Sequence, residues 1–182
     1  MNLFAIQNIA SSKEEYYMTN VCIDNICMKS VIEDYRLFFE GKILKDSIVW
    51  NDYEEEYQRQ MLYESDSLYI YMSSYDTTLL YIKYIEVFSS QYDVSLKDMK
   101  FKVGMDINVL INIMPNIQQE YESYIGKEKE HFTRPAYFGI PLLLETNNTD
   151  MPLYPSQGLK FQIKEGVVTS ILIDFRTDGD FI

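Results

Sequence analysis

Along "SLYIYMS", residues 68–74, apolar Leu68, Ile70 and Met72 alternate with Tyr69 and Tyr71. A period of two puts successive side chains on opposite faces of a strand, so this segment is expected to be a strand with one buried face. The polar "SSYDT" turns the chain, and "TLLYIKYIEVFSS" returns with β-branched and aromatic residues, which makes the pair a hairpin. Toward the C-terminus "LKFQIKEGVVTSILIDF" repeats the pattern, with Glu165 and Gly166 as a two-residue turn between alternating strands.

Helical spacing occurs elsewhere. In "SVIEDYRLFFEG", Ser30 and Glu33 form a capping box, Val31, Ile32, Tyr35, Phe38 and Phe39 recur along one side, and Gly41 stands where a left-handed C-cap is wanted. In "GMDINVLINIMP", Gly104 permits a tight turn and Asp106 caps. There Ile107, Leu110, Ile111 and Met114 share a face, and Pro115 ends the helix. The polar "NIQQEYESYIGKEKEHFTRP" reads as a helix ending near Gly126 with a loop after it. "KILKDSIVW" reads as extended. Residues 52–63 fit two structures: Asn51 or Asp52 can cap a short helix whose first turn, Glu54 to Glu56, suits the helix dipole, while the tyrosines fit a strand. The expected fold is a single α+β domain over residues 1–182, an antiparallel sheet with a few packed helices.

With 182 residues, 47% hydrophobic and 15% aromatic, the chain can bury a sizeable core and is too apolar to remain disordered. The net charge of -12 opposes binding to nucleic acid or to anionic membranes, which call for clustered Lys and Arg. "MNLFAIQNIASS" has no basic residue before its apolar part, and no run reaches the length of a membrane helix. A cytoplasmic location is the expectation. Cys22 and Cys27, in "CIDNIC", could in principle form a disulfide, but they lack the spacing and partner ligands of a zinc site. They are expected to be reduced, in or beside a half-buried strand.

Catalytic chemistry finds little footing. His131, the only histidine, lies in the charged "KEKEHFTRP" with no nucleophile motif to complement it. Asp98-x-Lys100 resembles a fragment of metal-dependent nucleases, but the charge of the chain repels their substrate. "DFRTDGD" lacks the ligand spacing and terminal Glu of an EF-hand, and no phosphate-binding glycine motif occurs. No catalytic residue, metal or cofactor is expected. A hydrolase using scattered carboxylates with a divalent metal, or a non-enzymatic scaffold subunit, are the alternative readings.

One feature calls for a function. From Asp46 to Asp76 there are eight acidic residues and one basic residue, Arg59, a formal charge of -7 within a sixth of the chain. Trp50, Tyr53, Tyr57, Tyr63, Tyr69, Tyr71 and Tyr75 are interleaved with them. Carboxylates take bidentate hydrogen bonds from Arg, and tyrosine supplies contact area and a face for cations. Together they suit a positively charged protein partner.

The hairpin "SLYIYMSSYDTTLLYIKYIEVFSS", the turn and helix "FKVGMDINVLINIMP" and the closing "GLKFQIKEGVVTSILI", in an acidic chain of this size, resemble the small cytoplasmic immunity proteins of bacterial contact-dependent growth inhibition and related polymorphic-toxin systems. The resemblance covers roughly the last two thirds of the chain. It implies no enzymatic activity and one cognate toxin, bound tightly and blocked by steric occlusion; the acidic aromatic stretch, suited to a site built for polyphosphate, adds the expectation that the toxin is a basic nuclease domain. The residues expected to contact it are Asp52, Tyr53, Glu54, Glu55, Glu56, Tyr57, Glu64 and Asp66.

Overall fold

The computed structural model describes residues 16, 20–24, 26–27, 42–52, 55–75, 80–128, 137–142 and 158–175. The helix expected at residues 30–41, His131, Tyr53 and Glu54 lie outside the described residues. In chain order the strands are β1 (Val21–Ile23), β2 (Ile26–Cys27), β3 (Lys42–Asn51), β4 (Glu56–Glu64), β5 (Leu68–Ser74), β6 (Tyr81–Val87), β7 (Val94–Leu96), β8 (Met99–Phe101), β9 (Phe138–Ile140), β10 (Gly158–Lys164) and β11 (Val167–Asp174). Two short helices join them, α1 (Ile107–Ile113) and α2 (Gln118–Glu128).

Both predicted hairpins form. Leu68 lies opposite Val87 and Ile70 opposite Ile85 in the β5–β6 pair. Between β10 and β11, Glu165 and Gly166 both take positive φ, 55° and 78°, the turn geometry whose twist matches the flanking strands. The two hairpins fuse, because Ile171 and Ile173 of β11 also pair with Val87 and Ile85 of β6. The result is a seven-stranded antiparallel sheet in the order β3-β4-β5-β6-β11-β10-β9. At its far side β9 and β10 run so close that a Cβ on Gly139 would enter the carbonyl of Leu159.

A second sheet, β2-β1-β7-β8, covers one face of the first. Val21, Ile23, Val94, Leu96 and Phe101 join Leu68, Ile70, Ile85, Ile171 and Phe161 in one buried cluster. The rings of Phe101 and Phe161 meet edge to face at 5.2 Å between the layers. Each large aliphatic or aromatic side chain so buried contributes about 1.5–3 kcal/mol, enough to fix strand register, since a one-residue slip would expose the whole row.

The glycine turn and short helix fold as the pattern predicts. Gly104 takes φ of 92°, and Asp106 Oδ1 accepts from the amide of Asn108 at 2.8 Å. Ile107 and Leu110 are buried, and Pro115 opens a 3-10 turn that leads into α2, which runs to Glu128. Tyr121 of α2 packs on Phe138 of β9 at 5.3 Å.

Three expectations change, and the choice left open for residues 52–63 is decided over its described strand. The antiparallel sheet is present, but the described chain is mainly β rather than evenly α+β, with eleven strands and two short helices. Residues 56–64 are a strand: Met61 and Tyr63 alternate into the core, and their burial outweighs the affinity of a glutamate run for a helix terminus. In the β5–β6 hairpin the second face is also covered, but only toward the end of β5, where Tyr71 and Ser73 are buried as well as Met72, while Tyr69, Tyr84 and Glu86 are half-buried. Cys22 and Cys27 are not free thiols but a disulfide, directly opposed across β1 and β2. Asp24, with φ of 52°, begins the tight turn that folds the second cysteine back onto the first.

Candidate protein-binding hairpin

β3 and β4 pair over their whole length, from Lys42 opposite Glu64 to Asn51 opposite Glu56, with one bulge between Ile43 and Lys45. Beyond that bulge the strands alternate regularly. Ile48 and Trp50 of β3 therefore fall on the same face as Tyr57 and Arg59 of β4. This is the face that carries Met61 and Tyr63 into the core, but toward the tip its side chains are exposed: Ile48 by 58%, Trp50 by 51% and Tyr57 by 62%.

The sequence-predicted residues divide. Asp52 lies in the turn after β3, Glu55 takes a positive φ of 54° at the other side of the tip, and Glu56 and Tyr57 begin β4, all four exposed. Glu64 ends β4 half-buried, and Asp66 is exposed in the following turn. At about 3.3 Å per residue the strand sets these two roughly 26 Å from Glu56, so they do not join the tip. The aromatics divide as well. Tyr63 and Tyr71 are core residues, Tyr69 stacks on Tyr84 at 5.6 Å, and only Trp50, Tyr57 and Tyr75 of those described present large exposed surface.

Ile48 and Trp50 were not among the predicted contacts. Their signal was the apolar run Ile48-Val49-Trp50 beside the acidic run, since the two-residue period of a strand places Ile48 and Trp50 on one face and Val49 on the other.

The electrostatics of the hairpin are set by one ion pair. Arg59 Nε and its terminal nitrogen donate to the two carboxylate oxygens of Asp46 at 2.9 and 2.8 Å. Those hydrogen bonds push the Arg59 guanidinium above its ordinary value; partial desolvation opposes the shift and the attraction to Asp46 adds to it. The single cation of the acidic segment is thus engaged within the hairpin. Asp52, Glu55 and Glu56 have no described cationic neighbour, and the tip presents uncompensated negative charge beside exposed aromatic surface.

A second concavity, about 320 Å³, lies between α2 and β9 and is lined by Glu120, Tyr137 and Lys160 with the β9 backbone. Two of its polar groups are engaged by carboxylates outside the lining. The Tyr137 hydroxyl donates to Glu86 at 2.6 Å, and the Lys160 ammonium contacts the fully buried Asp174 at 2.8 Å. Asp98 stands in the exposed turn between β7 and β8. Among the described residues no group of three or more His, Cys, Asp or Glu gathers to hold a metal ion, and no helix is long and apolar enough to cross a membrane.

Comparison with protein-family models, with curated proteins and with solved structures yields no match to this chain.

Proposed function

We propose that this chain is an immunity protein, a non-enzymatic binder that captures the cationic domain of a cognate toxin on the β3–β4 hairpin and blocks its active or substrate site by occupying it. The observation that carries this reading is the exposure of Ile48, Trp50 and Tyr57 beside Asp52, Glu55 and Glu56. Exposed aromatic anchors ringed by charge are what tight protein interfaces are built from. A nuclease site, made to receive polyphosphate, offers the complementary potential. On this reading the protein acts in the cytoplasm, where the toxin reaches its substrate.

The test is co-purification of the tagged protein with the C-terminal domain encoded upstream of it, joined to a growth assay in which that domain is induced with and without the protein. Rescue with a tight one-to-one complex is expected. Replacing Glu55 and Glu56 by Lys should weaken the complex and flatten its salt dependence. Absence of both complex and rescue with folded protein would overturn the immunity reading, and unchanged affinity of the charge-reversed protein would move the interface off the hairpin tip.

A further inference from the structure

The large sheet ends in two strands, β9 with three residues and β3 with ten. Exposed sheet edges are templates for further strands, and proteins blunt them by shortness, bulges, prolines or charges. β9 is guarded by being short. On β3 the guards stand in the first half, where Lys42, Lys45 and Asp46 accompany the bulge between Ile43 and Lys45. The second half, "SIVWN", has neither charge nor proline, and its pairing with residues 56–60 of β4 is regular. Among the described residues no strand pairs with its outer side.

This half-strand, which pairs with no described strand other than β4, also carries the exposed Ile48 and Trp50, and it runs directly into the acidic tip at Asp52. A second copy of the chain would bring another segment of formal charge -7 against the first. An extended cationic segment meets the opposite situation. Its backbone pairs with β3, its alternate side chains lie on Ile48 and Trp50, and its Lys or Arg residues reach Asp52, Glu55 and Glu56.

We propose that the outer edge of β3 over Ser47–Asn51 is a strand-addition site for an extended, cationic segment of the partner protein. The proposal rests on the cationic-partner reading above and adds how that partner is held: through main-chain hydrogen bonds to one edge, with alternation of side chains giving specificity.

The probe is an acetylated, amidated peptide of alternating Val and Lys, titrated into the full-length ¹⁵N-labelled protein. It is accompanied by two versions N-methylated on one or the other alternate set of residues. A paired strand directs only one set of its amides at β3. One N-methylated peptide should therefore bind at least about tenfold more weakly than the parent while the other does not, with slowed amide exchange confined to Ser47–Asn51. Equal binding of all three peptides would reduce the attraction to charge and overturn the proposal, as would protection that maps elsewhere. A protein already dimeric and protected at Ser47–Asn51 without peptide would also overturn it, assigning the edge to a second copy. The outcome is separable from the growth assay: rescue without strand pairing sinks this proposal alone, and strand pairing without rescue sinks the toxin assignment alone.

Discussion

Trp50 and Tyr57 face each other directly across β3 and β4 and meet edge to face, 5.1 Å between ring centroids, although each is more than half exposed. Cross-strand aromatic pairs of this geometry contribute about 0.5–1.5 kcal/mol beyond the area they bury. Here the contact stiffens the end of a hairpin that extends past the core, so the same two rings hold the tip in shape and remain available to a partner. Preorganised aromatic surface binds at lower entropic cost than a mobile loop. Trp50→Ala is expected to cost about 1 kcal/mol of stability but about 2 kcal/mol or more of partner affinity, the ratio typical of an interface anchor. Thermal denaturation and calorimetric titration measure the two separately; affinity that falls by no more than stability would make Trp50 a structural residue only.

The strands were legible wherever one face is buried, as in Leu68, Ile70 and Met72, because alternation is imposed by the core itself. The turns at Glu165-Gly166 and Gly104 were legible because few residues tolerate their backbone angles. What the pattern hid was residues 56–64. Charge at one end of that segment suits a helix while its buried Met61 and Tyr63 suit a strand, and only pairing with β3 and β5 decides between them. The candidate site was half legible for a related reason. Local charge can be counted along a chain, but which of the interleaved aromatics turn inward depends on what packs above them. Tyr63 and Tyr71 went to the core and Trp50 and Tyr57 did not. The disulfide was hidden because Cys22 and Cys27 become neighbours only once the turn at Asp24 closes.

The Asp46–Arg59 pair predicts opposite effects on stability and association. Both side chains are partly exposed, 38% and 29%, so solvent screening holds the contribution of the pair to about 0.5 kcal/mol. Arg59→Gln should lower stability by roughly that amount and remove the only cation of the acidic segment, raising the association rate of a basic partner about twofold at low salt. The guanidinium is raised above its ordinary value, so its stabilisation is complete below that value and is lost only as pH rises through the shifted one. Titration from pH 6 to 10 should therefore leave the Arg59 contribution unchanged. Stopped-flow association with the co-purified partner checks the rate, and a rate that falls in Arg59→Gln would show that Arg59 itself contacts the partner.

Lys160 and Asp174 lie diagonally across β10 and β11, with Asp174 fully buried and Lys160 largely so. Charges held in this way are costly to separate, because removing one partner leaves the other desolvated. Lys160→Met is expected to lower stability by about 3 kcal/mol, whereas the double replacement Lys160→Met with Asp174→Leu should recover most of the loss. Denaturant unfolding of the three variants closes the cycle. A Lys160→Met variant as stable as the parent would mean that the buried carboxylate does not depend on the ammonium.

The bridge between Cys22 and Cys27 joins residues five apart, and closing so short a loop restricts the unfolded chain by about 2 kcal/mol in the chain-entropy account. Reduction, or replacement of both cysteines by Ser, should lower the denaturation midpoint accordingly. It should leave partner binding intact, since β1 and β2 belong to the small sheet and the β3–β4 hairpin to the large one. The bridge also bears on where the protein works. Structural disulfides persist in oxidising compartments and are rare in the cytosol, so the bond and a cytoplasmic immunity protein pull in opposite directions. Rapid alkylation of intact cells followed by mass spectrometry of the peptide containing both cysteines decides between them. Two alkylated thiols would place the working protein in reducing surroundings, with its stability resting on the shared core alone; an intact bridge would move the encounter with any partner outside the cytosol.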